Sequence, residues 1–538
     1  MAMAKGPKNI GLMFERYAEM GSRPVFHLDR PFDVAPKGGI QYEVGDLARL
    51  VAEISGVLFE AGLRAGDRLG IVKDNHFDVV LLAAAAARIG ALPAMISSTI
   101  RPDALRVMLG RLEPKVLVAT PSVLEGAAAA KVELVGPGVM TLVAGSPGEV
   151  PPGAVTVEEL RGASVPVAAP RPDSEPMICT HTSGTTGVPK LVVHSADTTV
   201  KVNSKLETTK IPFLSTRSDD VIAACVAWVH IRSVTWAAGQ LALPPAKAVV
   251  IADTDPENAV RVLREHPPTT LEACPNIFQR WEGIPAAHPE LFKRVRAYVS
   301  TFDAIHPRTI RTFLAASGRK GALWGQSWGQ SEVGPVSLGV YTRRKIRRQG
   351  ESTAVTTNVG RPIPFVTRLR VVDPQTRRRV RRGKEGIVLV HTKGRCLDYL
   401  GESDRHAAKD WDGWWNTGDV GVRTFTGGLR ILDREVDMIP GMSGIDAESV
   451  LLDRLKEASE VIVLGVPGRP PVPVLSTESG RIDPGVWKAA TAGLPAMDDP
   501  VVIPWEDFPR TGTWKVRRPI LREQLFGTRL THGTGKWT

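Results

Sequence analysis

The chain has 538 residues, of which 43% are hydrophobic and 23% charged, and its formal net charge is +11. This length exceeds what one hydrophobic core supports, so we expect a globular protein with two or more domains. No apolar run approaches the roughly 20 residues of a membrane span, and charges at Lys5, Lys8, Glu15 and Arg16 interrupt any signal-like stretch, so we expect a cytoplasmic protein.

Near the N-terminus, apolar residues recur at the spacing of one helical face from Leu47 to Leu58, and Gly62 is placed to end this helix. The pattern then predicts a strand at 69–72, a helix at about 77–89 and a strand at 91–96. Such alternation favours an α/β fold with parallel sheet. Residues 145–176 are rich in Pro, Gly and Ala and are predicted to form a surface connection.

Residues 180–190 read THTSGTTGVPK and directly follow a short apolar segment. Gly184 and Gly187 allow the backbone to approach an anion closely, and Lys190 supplies positive charge. Hydroxyl donors come from Thr182, Ser183, Thr185 and Thr186. Two residues separate Lys190 from Gly187, unlike in a Walker loop, so the run predicts another kind of phosphate loop and a nucleotide ligand.

Further short runs follow in order: WGQSE at 328–332, WNTGD at 415–419, LDREV at 432–436 and PRTGTWKVRR at 509–518. Together with the phosphate loop, they resemble the motifs of the adenylate-forming superfamily. That superfamily contains acyl-CoA synthetases, aryl acid ligases, nonribosomal adenylation domains and luciferases. Five matches in the family's order argue against coincidence.

The resemblance implies roles for the second motif and ATP and Mg2+ as cofactors. Trp328 takes the place of the ring that stacks on adenine, and Ser331 takes the family's threonine position. Glu332 would bind Mg2+, a hard cation that prefers oxygen ligands.

The later motifs imply contacts to the ribose and the reacting phosphate. Asp419 would accept hydrogen bonds from the ribose hydroxyls, although Asn416 replaces the family's arginine. Arg434 would contact the ribose through its rigid fork of donors. Lys515 matches the catalytic lysine of adenylation.

The acid pocket is less specific in sequence. WVHIRSV at 228–234 resembles the family segment in which His230 borders the carboxylate site, and Arg232 would add a cation to that wall. Segments that line the pocket in relatives contain Asn276, Ile277, Phe302, Asp303 and Ala304. Relatives have small residues where this chain has Phe302 and Asp303. We therefore expect a short pocket that recognises a small or aromatic acid, or an amine or another donor, in preference to a long acyl chain.

The resemblance also implies an architecture. A large N-terminal region of layered α/β subdomains, residues 1–435, would precede a small mobile α+β domain, residues 436–538, that carries Lys515. Rotation of the small domain is a hypothesis, because Lys515 must reach the acid and the α-phosphate and then withdraw.

The activity implied is attack of an acid on the α-phosphate of ATP, release of pyrophosphate and transfer of the activated acid to a nucleophile. CoA is the family's default acceptor. Pro440 replaces the lysine of the family's CoA-site motif, however, so adenylation is better supported than thioester formation. A CoA-independent ligase is the alternative: it would form an amide, or activate an inorganic acid such as nitrite for reaction with an aryl amine.

The excess positive charge lies in two runs, 343–348 and 377–384, with five and six basic residues and no acid. A solvated surface is the commonest reason for such runs. Without interleaved aromatic residues or a recognised nucleic-acid module, a nucleic-acid-binding protein is only a remote alternative.

Overall fold

The computed structural model of the chain describes residues 6–146, 150–182, 188–211, 215–347 and 354–528. Within these ranges, no helix combines the length and the apolar character needed to cross a bilayer. The chain divides into two compact units. Unit 1 comprises Met1–Glu272, Ser331–Gly334 and Lys393–Ala408, and unit 2 comprises Ala273–Gln330, Pro335–Thr392 and Lys409–Thr538.

Helices and strands alternate along much of the chain. The helices are α1 (Ile10–Glu19), α2 (Val44–Glu60), α3 (Asp78–Arg88), α4 (Pro102–Leu112), α5 (Pro121–Ala129), α6 (Lys205–Thr208), α7 (Ile231–Ala242), α8 (Pro256–Glu265), α9 (Pro275–Arg280), α10 (Ile284–Ala287), α11 (Pro307–Ala316), α12 (Arg343–Arg347), α13 (Ser403–Ala407), α14 (Gly444–Arg454), α15 (Pro484–Thr491) and α16 (Arg518–Phe526). The strands are β1 (Val25–Leu28), β2 (Gln41–Tyr42), β3 (Arg68–Lys73), β4 (Leu92–Ser97), β5 (Val116–Ala119), β6 (Met140–Val143), β7 (Ala154–Thr156), β8 (Pro176–His181), β9 (Leu191–Ser195), β10 (Val221–Cys225), β11 (Lys247–Val250), β12 (Thr270–Ala273), β13 (Ala297–Ser300), β14 (Leu323–Gln330), β15 (Gly334–Thr342), β16 (Arg361–Pro362), β17 (Thr367–Val372), β18 (Glu385–Thr392), β19 (Asp398–Tyr399), β20 (Asp410–Trp411), β21 (Trp414–Arg423), β22 (Leu429–Arg434), β23 (Ala458–Leu464), β24 (Val472–Thr477) and β25 (Val501–Val502).

The predicted α/β class and the first four predicted elements are confirmed. They correspond to α2, β3, α3 and β4, and Gly62 follows α2 with φ of 92°, a backbone angle that glycine adopts without strain. The connection predicted at 145–176 differs in one respect. It contains β7, which pairs in parallel with β6 and extends the sheet.

Unit 1 is built around a sheet with the strand order β19-β9-β8-β4-β3-β5-β6-β7. The central pairs are parallel, whereas β9 runs antiparallel to both β8 and β19. Helix α3 is buried along its whole length, as expected for a helix that covers a parallel sheet. A second group of neighbouring strands in this unit has the order β10-β11-β1-β2.

Unit 2 contains a strand group in the order β16-β15-β14-β13, a five-stranded sheet formed by β17, β18, β20, β21 and β22, and a three-stranded sheet in the order β23-β24-β25. The last sheet has a hydrophobic core on each face. Val461 and Val463 pack in one core with residues of α14, whereas Ile462 and Leu464 pack in the other with residues of α16. This is the two-residue alternation of a strand.

Helix α14 contacts the earlier part of unit 2 through polar side chains. The Arg308 guanidinium donates to the carbonyls of Leu452, Leu455 and Ala458, which satisfies acceptors at the C-terminal end of α14. Glu282 holds the same guanidinium at 2.8 Å. The domain boundary at residue 435 stays a prediction, because the compact units divide the chain elsewhere.

The two basic runs differ in structure. Residues 343–347 form α12, and Arg343 donates to the carbonyls of Leu314 and Ser317 at the C-terminal end of α11. The basic residues of 377–384 are exposed between β17 and β18. The guanidinium of Arg377 lies 4.5 Å from the ring centroid of Trp411, so folding brings an aromatic residue to a run that lacks one in sequence.

Candidate active site

The described part of the phosphate loop is its base, between β8 and β9. The Thr182 amide donates to the Lys190 carbonyl at 3.0 Å, and the Lys190 amide donates to Thr182 Oγ1 at 3.1 Å. The remaining predicted loop residues, Ser183, Gly184, Thr185, Thr186 and Gly187, lie outside the described residues. The closed base fixes where the loop starts and ends.

A buried histidine supports this base. His181 Nε2 accepts from the Ser97 amide at 3.2 Å, so its proton is on Nδ1, which donates to the Thr182 carbonyl at 2.8 Å. Burial lowers the pKa of His181, and the ring is therefore neutral at physiological pH. Sequence reasoning did not identify this residue.

Ser331 in unit 1 is held by two histidines. His230 Nδ1 accepts from the Arg232 amide at 3.1 Å, so Nε2 carries the proton and donates to Ser331 Oγ at 3.2 Å. His194 contacts the Ser331 carbonyl through Nε2 at 2.7 Å. His230 is the N-cap of α7, which fixes the ring at the start of that helix.

Glu332 is anchored through one carboxylate oxygen. The hydroxyl of Tyr399 donates to Glu332 Oε1 at 2.6 Å, and the Cys396 amide donates to the Glu332 carbonyl at 2.7 Å. Burial and then the Glu332 carboxylate raise the pKa of Tyr399, so the phenol keeps its proton. Among the described residues, Glu332 Oε2 has no hydrogen-bond partner, which leaves it available to a cation.

Arg232 is surrounded by carboxylates. Its Nε and Nη2 atoms donate to the two oxygens of Glu272 at 2.7 and 2.8 Å, and its Nη1 atom donates to Glu207. The expected cation is thus present, but it is paired with two acidic side chains and does not stand alone on the wall. Burial raises the pKa of Glu207, and the positive charge of Arg232 opposes that rise.

A second group of predicted residues lies in unit 2, where Asp419 is buried at 4% exposure. Arg434 Nε lies 3.1 Å from Asp419 Oδ1, and Gln330 Nε2 donates to Oδ2 at 2.9 Å. Asp419 and Arg434 are register partners on β21 and β22, so the hairpin sets this contact. Asn416 accepts from the Gly418 amide at 2.9 Å and shapes the turn before Asp419.

Lys515 lies close enough to affect Asp419. Burial raises the pKa of Asp419, and the positive charges of Arg434, Lys515 and Lys409 oppose that rise. A turn fixes the backbone of Lys515, because its amide donates to Thr511 Oγ1 at 3.2 Å and its carbonyl accepts from the Thr511 amide at 2.9 Å.

Trp514, directly before Lys515, has φ of 64°. The left-handed region is usual for glycine and costly for a bulky side chain. Phe302, at a position where the family resemblance implied a small residue, has φ of 87°. At both positions the backbone has a glycine-type conformation although the residue is large.

The other predicted pocket residues of unit 2 present hydrogen-bond acceptors. Asn276 is buried at the start of α9, and Asp303 accepts from the Ala304 amide at 2.9 Å. Trp328, the residue predicted to stack on adenine, is half-buried on β14. Three buried acceptors have no partner among the described residues: Asn276 Oδ1, Thr301 Oγ1 and Gln326 Oε1. Such atoms fit a ligand that brings N–H or O–H donors, as adenine and an aryl amine do.

Sequence reasoning missed several neighbours of the predicted residues: His181, Glu207, Glu272, Gln330, Tyr399 and Lys409. Gln330 was within reach, because it lies inside the WGQSE run. His181 was also within reach, because it is the second residue of the THTSGTTGVPK run. The other four come from segments without a motif.

Comparison with known proteins places this geometry in a family. Residues 20–400 match the family model described as AMP-binding enzyme. The chain is 35% identical over 543 residues to 3-amino-2-hydroxy-4-methoxybenzoate diazotase from Streptomyces cremeus, with 97% of this chain and 96% of the relative covered. It is 27% identical over 492 residues to a long-chain-fatty-acid–CoA ligase from Thermus thermophilus, with 88% of each covered.

Among solved structures, the chain resembles the amide bond synthetase McbA from Marinactinospora thermotolerans, with a TM-score of 0.74, 20% identity, and 96% of this chain and 99% of the other covered. At this identity, the likeness concerns the fold alone. The family match and the 35% identical relative carry more weight. The chain belongs to the AMP-binding enzyme family, and it is a ligase of the adenylate-forming superfamily that the sequence motifs indicated.

Proposed function

We propose that this ligase activates nitrite with ATP and transfers it to an aromatic amine without CoA, as a diazotase. Its partners are then a small inorganic acid and an aryl amine acceptor, and its location is cytoplasmic. The relative from Streptomyces cremeus supports this choice, because it is named as a diazotase of an aminobenzoate. The proposal is the CoA-independent alternative that the sequence left open.

The reaction would take place in two steps. A nitrite oxygen attacks the α-phosphorus of ATP, the bond to the β-phosphate breaks, and pyrophosphate leaves. The amine nitrogen then attacks the nitrogen of the activated nitrite, and AMP leaves with the electron pair of the broken N–O bond. Proton transfer and loss of water convert the N-nitroso amine into a diazonium ion.

The assigned residues would supply positioning and charge, which dominate phosphoryl-transfer chemistry. We propose that Lys515 stabilises the charge on the α-phosphate, that Asp419 and Arg434 bind the ribose, and that Trp328 stacks on adenine. Thr182, the loop residues 183–187 and Lys190 would hold phosphate oxygens. We assign His230 and Ser331 to the activated acid.

Glu332 fits Mg2+ in the way this ion is usually held. Mg2+ in nucleotide sites takes one or two carboxylates and completes its shell with phosphates and water. One oxygen of Glu332 is anchored and the other is available, and the described residues contain no cluster of three metal-ligating side chains. When bound, Mg2+ supplies charge neutralisation on the phosphates.

The observation that carries the proposal is the triad of Glu207, Arg232 and Glu272. The backbone amide of Arg232 donates to Nδ1 of His230, so the triad is adjacent to the residue expected to border the acid site. Both acidic side chains of the triad present their oxygens to the Arg232 guanidinium. Glu207 Oε2 is buried and has no hydrogen-bond partner among the described residues, so this wall favours an amino group, which brings N–H donors.

The experiment that tests the proposal omits CoA. The purified protein is incubated with ATP, Mg2+, nitrite and an aminohydroxybenzoate, and pyrophosphate and AMP are measured. We expect their formation to depend on both nitrite and the amine, and a coupling phenol to trap a coloured azo product. A requirement for CoA together with a carboxylic acid would instead identify the family's default thioester reaction.

Glu207→Gln is expected to raise the KM for the amine about 10-fold, because hydrogen bonds to charged groups contribute roughly 1.5–3 kcal/mol. The KM for ATP should change little. Glu282→Gln is the matched control, since Glu282 is also a partly buried acidic residue that binds an arginine, but its partners are Arg308 and Thr309. Equal effects of both variants on the KM for the amine would remove Glu207 from acceptor binding.

A further inference from the structure

Tyr399 joins two residues of the nucleotide site that are far apart in sequence. Its hydroxyl donates to Glu332 Oε1 at 2.6 Å, and Lys190 Nζ lies 4.6 Å from the centroid of its ring. The ring is completely buried. One side chain thus contacts the predicted metal ligand through its hydroxyl and the lysine of the phosphate loop through its ring face.

The position of Tyr399 is set by backbone pairing. Strand β19 runs antiparallel to β9, with Tyr399 opposite Val192, and the Leu400 amide donates to the Leu191 carbonyl at 2.9 Å. Strand β9 starts directly after Lys190. The same pairing therefore places the ring beside the end of the phosphate loop, while the Cys396 amide secures the Glu332 carbonyl.

We infer that Tyr399 is a positioning residue for the metal site: it fixes one oxygen of Glu332 so that the other faces Mg2+, and it aligns Lys190 for the same phosphates. A carboxylate held at one oxygen has fewer orientations to lose when a cation binds at the other. The inference rests on the proposed metal role of Glu332. It does not depend on which acid or acceptor the enzyme uses.

Tyr399→Phe separates the two contacts, because it removes the hydroxyl and retains the ring. Tyr341→Phe is a closely matched control. Tyr341 is also fully buried, its hydroxyl donates at 2.6 Å to the Asn358 carbonyl, and Lys345 Nζ lies 4.2 Å from its ring centroid. Each variant loses one hydroxyl from a buried tyrosine whose ring is contacted by a lysine. Only the hydroxyl of Tyr399 contacts Glu332.

The measurement is the affinity of the full chain for ATP in the absence of the acid substrate. It is determined by calorimetric titration at a range of Mg2+ concentrations. We expect Tyr399→Phe to raise the Mg2+ concentration for half-maximal ATP affinity about 10-fold, within the range for residues that orient metal ligands. Tyr341→Phe should leave it unchanged. The Tm of each variant shows separately what the lost hydroxyl contributes to stability.

A double-mutant cycle with Glu332→Gln decides whether Tyr399 acts through Glu332. If it does, Tyr399→Phe adds little to the Mg2+ requirement once Glu332 is replaced. Full additivity, or a shift in Tm alone for Tyr399→Phe, would overturn the inference, and so would an unchanged Mg2+ requirement in Glu332→Gln. Failure of the proposed function is distinguishable, because it appears in the wild-type assay with nitrite and amine and leaves this titration unaffected.

Discussion

Lys515→Ala is expected to slow acid-dependent pyrophosphate release by about 10²- to 10³-fold, the usual effect of removing one preorganised donor from developing charge. The lysine is half-buried, and its backbone rather than its side chain forms the turn with Thr511. The fold should therefore tolerate the change. Pyrophosphate release at saturating ATP and acid, together with the Tm, measures both effects.

Lys488→Ala is the control for this variant, because Lys488 is an exposed lysine of the same C-terminal segment on α15. It should retain wild-type rates. The decisive comparison is between the effect of Lys515→Ala on adenylation and its effect on transfer to the acceptor. Unchanged pyrophosphate release in Lys515→Ala would remove this residue from adenylation, whatever happened to transfer.

Asp419→Asn is expected to raise the KM for ATP about 10- to 100-fold, because each hydrogen bond to a charged group contributes roughly 1.5–3 kcal/mol. The side-chain amide of the variant also places an N–H donor against Arg434 or Gln330, which both donate to the carboxylate in the wild type. The KM values for acid and acceptor should change much less. Steady-state kinetics with ATP as the varied substrate provide the test.

Asp446→Asn separates loss of nucleotide binding from loss of an ion pair. Asp446 pairs with Arg430 in the same unit, and neither residue belongs to the candidate site. This variant should leave the KM for ATP unchanged. If Asp419→Asn lowers only the Tm and leaves the KM for ATP at the wild-type value, the ribose assignment is wrong.

The sequence predicted the fold class well because its signals are local. The helical spacing of 47–58 and the glycine after it correspond to α2 and Gly62 in the structure. The family motifs also depend on short contiguous runs. The chain therefore identified its family through residues that are neighbours in sequence.

The partners of the site residues could not be predicted in this way, because they come from distant segments. Arg232 reaches Glu207 across 25 positions and Glu272 across 40, and the contact of Tyr399 with Glu332 spans 67. No periodicity links such pairs. Charge compensation of Arg232 changed the expected character of the pocket wall, and only the fold supplies it.

The backbone at Phe302 and Trp514 has a further consequence. A bulky residue in the left-handed region costs roughly 1–2 kcal/mol relative to one that avoids it, and strain of this kind commonly accompanies active sites. Glycine would relax both turns and change the shape around the reacting groups. Substitutions that raise the thermal stability of this enzyme at these two positions are therefore expected to change its selectivity for substrates.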